Sequence, residues 1–152
     1  MSDDGLIRIA GVDVGRRIPG HLIRSGDSGS ILIAVATDAP LLPNQLERLA
    51  RRAAMGLART GSVSGNGSGD LFLAFSTANP GAAYPKDGRP ATISALPNDR
   101  MDPLFTATVE ATEEAIVNAM VAAPTMTGAD GTTVVGMPHD TLREIFRAAP
   151  PR

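Results

Sequence analysis

Two short serine-bearing stretches stand directly before the two most apolar runs of this 152-residue chain. The first is Gly26-Asp27-Ser28-Gly29-Ser30, which leads into Ile31-Leu32-Ile33-Ala34-Val35-Ala36-Thr37. The second is Gly65-Asn66-Gly67-Ser68-Gly69-Asp70, which leads into Leu71-Phe72-Leu73-Ala74-Phe75-Ser76-Thr77. If the two apolar runs are neighbouring strands of one sheet, their serine-bearing starts meet in space beside a low-dielectric interior. A serine hydroxyl placed there becomes a nucleophile only when a base accompanies it. The same residues also make ordinary turns, because Gly, Ser, Asn and Asp each favour turns for steric or hydrogen-bonding reasons.

Several other chemistries fall away. The Gly-Asp-Ser-Gly of residues 26–29 matches a trypsin-like motif, but that mechanism needs a His base and a buried Asp as well, and the all-β pattern of that fold is missing. No phosphate-cradling G-x-x-x-x-G-K-[ST] occurs, and the single lysine is Lys86. The absence of Cys removes disulfides, thiolate metal sites and a Cys nucleophile. His21 and His139 are far apart, and a zinc site needs more ligands at helpful spacing. No metal or organic cofactor is expected.

The elements that must hold these serines are legible in outline. The runs 31–37 and 71–77 have the length and composition of strands buried on both faces. Leu6 to Ala10 reads as a short strand, and the glycines and proline between residues 11 and 29 read as turns. A helix is predicted from Asn44 to about Ala58, with Asn44 as cap and Glu47 completing a capping box. Arg48, Arg51, Arg52 and Arg59 then fall on its solvated side. Residues 61–70 form a loop, 78–90 an irregular excursion, and 91–96 a short strand or turn. A second helix is predicted from Asp102, with Asp102 as cap and Pro103 as first helical residue, to about Ala122. Its inward side includes Phe105, Val109, Ile116 and Met120. A turn at Gly128 to Gly131, a short strand at Thr132 to Val135 and a last helix at Pro138 to Phe146, capped by His139 or Asp140, complete the chain. Strands interleaved with helices predict a layered α/β arrangement.

Composition bounds the rest. A chain of this length fits one domain and buries a sizeable core. Aromatic residues are 3% of the chain, so stacking platforms for single-stranded nucleic acid are few. The formal charge of −2 offers no global field for a polyanion, which argues against nucleic acid as a partner. The first residues carry acidic side chains and no long apolar stretch, and no apolar run approaches membrane-spanning length, so a cytoplasmic location and no membrane association are expected.

Beyond these patterns, the stretch from Gly29 to Pro43, GSILIAVATDAPLLP, resembles the start of the β-subunit in the L-aminopeptidase/D-esterase (DmpA-like) family. The similarity continues through residues 45–52, 56–61, 67–70, 72–79 and 110–119 and ends at Pro138-His139-Asp140, covering most of residues 6–148. Members of that family are self-processing serine peptidases whose precursors cut themselves at a Gly–Ser bond. The resemblance implies a layered αββα sandwich shared in outline with ornithine acetyltransferase, of which this chain is the C-terminal part. It implies cleavage between Gly29 and Ser30, with residues 1–29 as the tail of the α-subunit portion and 30–152 as the β-subunit portion. Ser30 abuts the ILIAV strand as the family pattern requires, which favours it over Ser28.

The chemistry behind that assignment is consistent. A chain-terminal Ser carries its own base, an α-amine with an ordinary pKa of about 7.7–8.0, close to where general-base catalysis works best. By the same resemblance Ser68 and Asp70 support the nucleophile. Ser68 would bond the nucleophile or its amine, and Asp70 would steady the ammonium form and orient Ser68. A turn cap at the strand start is the plain alternative for Asp70. The expected activity is hydrolysis of N-terminal amino-acid amides, esters or short peptides in a homo-oligomer of αβ units. The family's oxyanion Asn would lie before Met1, and half the sandwich with it. A split gene pair, a truncated reading frame and a remnant therefore stay open, as does a partner or fragment without activity. An ornithine acetyltransferase-like acyltransferase is a further alternative, although that enzyme uses Thr as nucleophile.

Overall fold

The computed structural model describes residues 6–18, 29–82, 84 and 87–148. The first described residues make a short antiparallel hairpin, β1 (Arg8–Ile9) and β2 (Val12–Asp13). Ala10 and Gly11 between them both have positive φ, 48° and 77°, as a two-residue hairpin turn of type I′ requires. The sequence pattern suggests a single strand here. The second was hidden among turn residues because it is only two residues long. Ser28, Gly26 and His21 lie outside the described residues.

Next come β3 (Leu32–Thr37), α1 (Pro43–Arg59) and β4 (Leu71–Ser76). β3 and β4 pair in parallel, from Leu32 opposite Leu71 to Thr37 opposite Ser76. Parallel neighbours need a crossover, and α1 supplies it. The helix starts one residue before the predicted cap, with Pro43 at a position where its missing N–H costs nothing. The expected Asn44–Glu47 capping box does not form. Gln45 takes that role, accepting the Leu42 N–H at 2.9 Å, while Glu47 pairs with Arg51 on the surface. At the other end Gly61, with φ of 104°, turns the chain away and donates its N–H to the Ala58 carbonyl at 3.1 Å. A Cβ on Gly61 would lie 1.7 Å from the Leu6 carbonyl oxygen, so only glycine fits there. Arg8 N–H donates to the Thr60 carbonyl at 2.9 Å and ties the hairpin to the helix end.

The long helix α2 (Asp102–Ala122) packs along α1. A Cβ on Gly56 of α1 would come within 2.6 Å of both the Val109 carbonyl oxygen and Thr112 Cβ. Glycine thus sets how closely the two helices approach. Asp102 is the first helical residue and does not cap α2; buried Met101 occupies the cap position, led in by a 3₁₀ turn at Asn98–Arg100. The arginines of α1 are not simply solvated. Arg52 and Arg48 lie over the Phe105 ring at 3.8 and 5.1 Å, and Arg59 pairs with Glu113 at 3.2 Å. Beyond α2, β5 (Met126–Thr127) and β6 (Thr133–Val134) form an antiparallel hairpin around the predicted glycine turn. α3 (His139–Ala148) follows. His139 does not cap α3; its Nε2–H donates to the Val121 carbonyl at 2.8 Å, near the end of α2.

Two apolar clusters hold the layers. Leu41, Leu49 and Met101 are buried with Val35, Leu46, Ala74 and Phe105 against them, joining sheet and helices. Ile9, Val12, Val14, Ile18 and Ile145 form the second, between the hairpin and α3. The expectation that β3 and β4 are covered on both faces needs correction. Val35 and Ala74 face the helices, but the alternate residues Leu32, Leu71, Leu73 and Phe75 are 63%, 63%, 44% and 47% exposed. Their apolar composition belongs to a buried face, yet no described residue covers it. Residues 91–97 form neither strand nor helix; Leu96 N–H donates to Pro40 O at 2.7 Å. Among the described residues no helix is long and apolar enough to cross a membrane.

Candidate active site

The parallel register of β3 and β4 brings the two serine-bearing segments together at the strand starts. The regular ladder extends one step beyond the strands, with Leu71 N–H donating to the Ile31 carbonyl at 2.9 Å. Beyond that point side chains replace the backbone. Gly69 N–H donates to Ser30 Oγ at 2.9 Å, and Ile31 N–H donates to Asp70 Oδ1 at 2.9 Å. Each segment thus uses a side chain to satisfy the other's backbone. This crossed pair fixes the peptide on the C-terminal side of Ser30 and aims its hydroxyl toward Gly69. Ser30 and Gly69 are both exposed, so the hydroxyl is within reach from outside.

Asp70 accepts twice. Its Oδ2 takes the Ser64 hydroxyl at 2.8 Å. Its carboxyl is held below its ordinary pKa of 3.8, first by the Ser64 hydroxyl, then by the nearby Ser68 hydroxyl and the Ile31 N–H, with slight burial opposing. Ser68 Oγ is buried and lies outside good hydrogen-bond geometry with any partner; its influence on the carboxylate is one of proximity. The Ser68 backbone is pinned by its own N–H, which donates to the Gly65 carbonyl at 2.9 Å. An unpartnered hydroxyl in such a place is costly unless something else comes to meet it.

Ser30, Ser68 and Asp70 therefore sit in one cluster, as the strand-neighbour argument required. Gly29 precedes them in open space: a Cβ there would meet nothing within 4 Å outside its chain neighbours, so packing does not demand glycine at that position. Ser64 was not legible beforehand, since GSVSGNGSGD offers several equivalent serines and only the backbone path selects one. No group of three or more acidic or His side chains that could hold a metal ion occurs among the described residues.

Comparison with known proteins places this geometry in context. The model of peptidase family S58 matches residues 2–134. The chain is similar to the beta-peptidyl aminopeptidase BapA of Sphingosinicella xenopeptidilytica, 46% identical over 159 aligned positions that cover 96% of this chain and 40% of that protein. It is also similar to the L-aminopeptidase D-Ala-esterase/amidase of Ochrobactrum anthropi. That protein is a prototype of the serine aminopeptidases and a variant of the Ntn hydrolase fold; the match has a TM-score of 0.84 at 40% identity, covering 98% of this chain and 41% of that one. A Burkholderia beta-aminopeptidase matches with a TM-score of 0.81 at 42% identity, over 98% and 42% of the two chains. The fold is thus the α/β fold of these aminopeptidases, and the chain spans about two-fifths of their length.

Proposed function

The chain belongs to peptidase family S58, and from that membership we propose that it is the nucleophile-bearing portion of a self-processing serine aminopeptidase. Ser30 is the nucleophile. In the uncut chain its Oγ attacks the Gly29 carbonyl carbon, and the peptide nitrogen of Ser30 leaves with the hydroxyl proton. The resulting ester between Gly29 and Ser30 Oγ is opened by water, which leaves a Gly29 carboxylate and a free Ser30 α-amine. Residues 1–29 then end the α-subunit portion and residues 30–152 form the β-subunit.

After cleavage the new amine serves as the base for its own hydroxyl. Substrates are N-terminal amino-acid amides, esters or short peptides, whose acyl group passes to Ser30 Oγ and then to water. Asp70 stays ionised through the neutral range and is bonded to the N–H of the next residue, Ile31, so its charge favours the ammonium form that appears as the hydroxyl gives up its proton. Ser68, with its buried hydroxyl unengaged, is the group that receives the freed amine or the nucleophile. The open face of β3 and β4, with Leu32, Leu71, Leu73 and Phe75, takes the second sheet layer of the sandwich from the α-subunit portion, and the αβ units assemble as a homo-oligomer. All the named relatives are aminopeptidases, which favours hydrolysis over acyl transfer.

The observation that carries this reading is the contact of Ser30 Oγ with Gly69 N–H beside the Asp70–Ile31 bond. Intact mass of the purified chain tests it. Fragments parted between Gly29 and Ser30 are expected in the wild type and not in Ser30→Ala. An uncut wild type, both alone and with the N-terminal portion of a relative supplied, would count against self-processing.

A further inference from the structure

Ser64 stands six residues from Asp70 in a loop with no regular structure, yet its backbone is held in the left-handed region at φ 45°. A non-glycine residue pays for that conformation, and such positions persist where the surroundings over-determine them. Two contacts do so here. Ser64 N–H donates to Ser62 Oγ at 3.2 Å, and Ser64 Oγ donates to Asp70 Oδ2 at 2.8 Å. Four glycines, Gly61, Gly65, Gly67 and Gly69, lie within five residues of it, so the loop is rich in the residue that adopts positive φ without cost. A serine is there instead, and its hydroxyl is spent on the carboxylate.

The consequence runs through Asp70 to the scissile bond. With Oδ2 taken by Ser64, Oδ1 faces the Ile31 N–H. That N–H belongs to the peptide that follows Ser30. A carboxylate bonded at one oxygen only can swing about its terminal torsion, which is broad and roughly two-fold. Bonding both oxygens removes that freedom. We propose that Ser64 is a positioning residue for the nucleophile: from its left-handed turn it locks the Asp70 carboxylate so that the other oxygen fixes the Ile31 N–H and, with it, the attack geometry of Ser30 on Gly29. The role rests on the self-cleavage reading for its consequence, but the link from Ser64 to Ile31 is independent of it.

Ser64→Gly separates this role from a backbone one. Glycine adopts φ 45° without strain, so a residue that merely shapes the turn is replaced at no loss. Two readouts are taken on the full chain. In a Ser30→Ala background, which cannot cut, the Asp70 carboxyl is titrated by NMR and the exchange of the Ile31 amide is followed. Adding Ser64→Gly is expected to move the Asp70 midpoint upward and to speed Ile31 exchange at least tenfold, with the melting temperature unchanged. Unchanged titration and exchange would overturn the proposal. In the chain that keeps Ser30, Ser64→Gly is expected to slow Gly29–Ser30 cleavage about tenfold, with the acid limb of the rate profile displaced to higher pH. Cleavage at the wild-type rate and with the wild-type pH profile would equally overturn it. A parent chain that stays uncut both alone and with the N-terminal portion of a relative supplied speaks against self-processing, and the titration and exchange then decide the Ser64 link alone.

Discussion

At the ends where β3 and β4 finish, Thr37, Ser76 and Asn79 put their polar side chains to structural use. Ser76 Oγ donates to the Ala39 carbonyl, Ala39 N–H donates to Thr37 Oγ1 at 3.1 Å, and Asn79 makes two bonds to the backbone of Ser94, at 2.9 and 3.1 Å. Gln45, 2% exposed, bonds Leu42, Leu96 and Asn98, and buried Leu41, Leu49 and Met101 pack in the same region. At the ends where the same strands begin, the polar groups are exposed or half-buried. One residue is held at positive φ, one buried hydroxyl has no partner, and the bonds converge on Ser30 and Asp70. Both ends are rich in Ser, Thr, Asn and Gly. One end uses them to close the fold; the other leaves hydroxyl and carboxylate groups converging and incompletely satisfied, the pattern expected of a functional site.

If that contrast is right, substitutions at the strand starts change chemistry and leave stability alone. Ser30→Ala should have the largest effect, reducing Gly29–Ser30 cleavage on the order of 10³-fold or more, while the melting temperature moves little because Ser30 is exposed. A large fall in melting temperature would mean that the serine is structural. Asp70→Asn comes next. Its amide oxygen can still accept the Ile31 N–H, so the backbone stays held while the charge is lost. Cleavage should slow by about 10²-fold, within the usual range for a proton-handling group. The wild-type profile should carry the sign of the depressed carboxyl. The folded pKa of Asp70 lies below the ordinary value of 3.8. Its contribution to cleavage is therefore complete above that value and lost only as pH falls through the lower folded one. A rate that declines already between pH 6 and 4, for reasons other than unfolding, would show that Asp70 is not held as described.

Substitution at the strand finishes should do the reverse. Gln45→Ala removes bonds to Leu42, Leu96 and Asn98 in a buried place and should cost about 2 kcal/mol of folding stability. For a chain of this length that is a fall of roughly 4–8 °C in melting temperature. Cleavage by the folded fraction should be unchanged. Slower cleavage at a temperature where the variant is fully folded would erase the division between the two ends.

This division is also the point at which sequence reading stops. The two strands and the helix between them were visible in two apolar runs and an arginine-studded helical repeat, while their parallel pairing came from the structure. The meeting of Ser30 with the Ser68–Asp70 segment followed from assuming that the runs are neighbours. The open face was not readable from the strands themselves: ILIAVAT is as apolar toward the uncovered side as toward α1, so composition alone implies cover on both. The αββα resemblance supplied that warning. Ser64 was invisible for another reason. Its significance lies in a backbone dihedral and a bond six residues along a loop, and neither leaves a trace in residue type when serines and glycines are all around it.

The smallest effect should come from Gly69→Ala, and it tests how the hydroxyl of Ser30 is held. A Cβ at residue 69 would lie 3.4 Å from Ser30 Oγ, an ordinary contact, and the backbone is not at positive φ. The N–H that donates to Oγ survives the substitution. If that N–H is what orients the nucleophile, cleavage should change by less than about threefold, equivalent to well under 1 kcal/mol, with stability unaltered. A loss as deep as that of Ser30→Ala would mean that the space beside Oγ, and not the bond to it, is what the reaction requires. The conformation that attacks Gly29 would then have to carry Ser30 toward Gly69 from where it now stands.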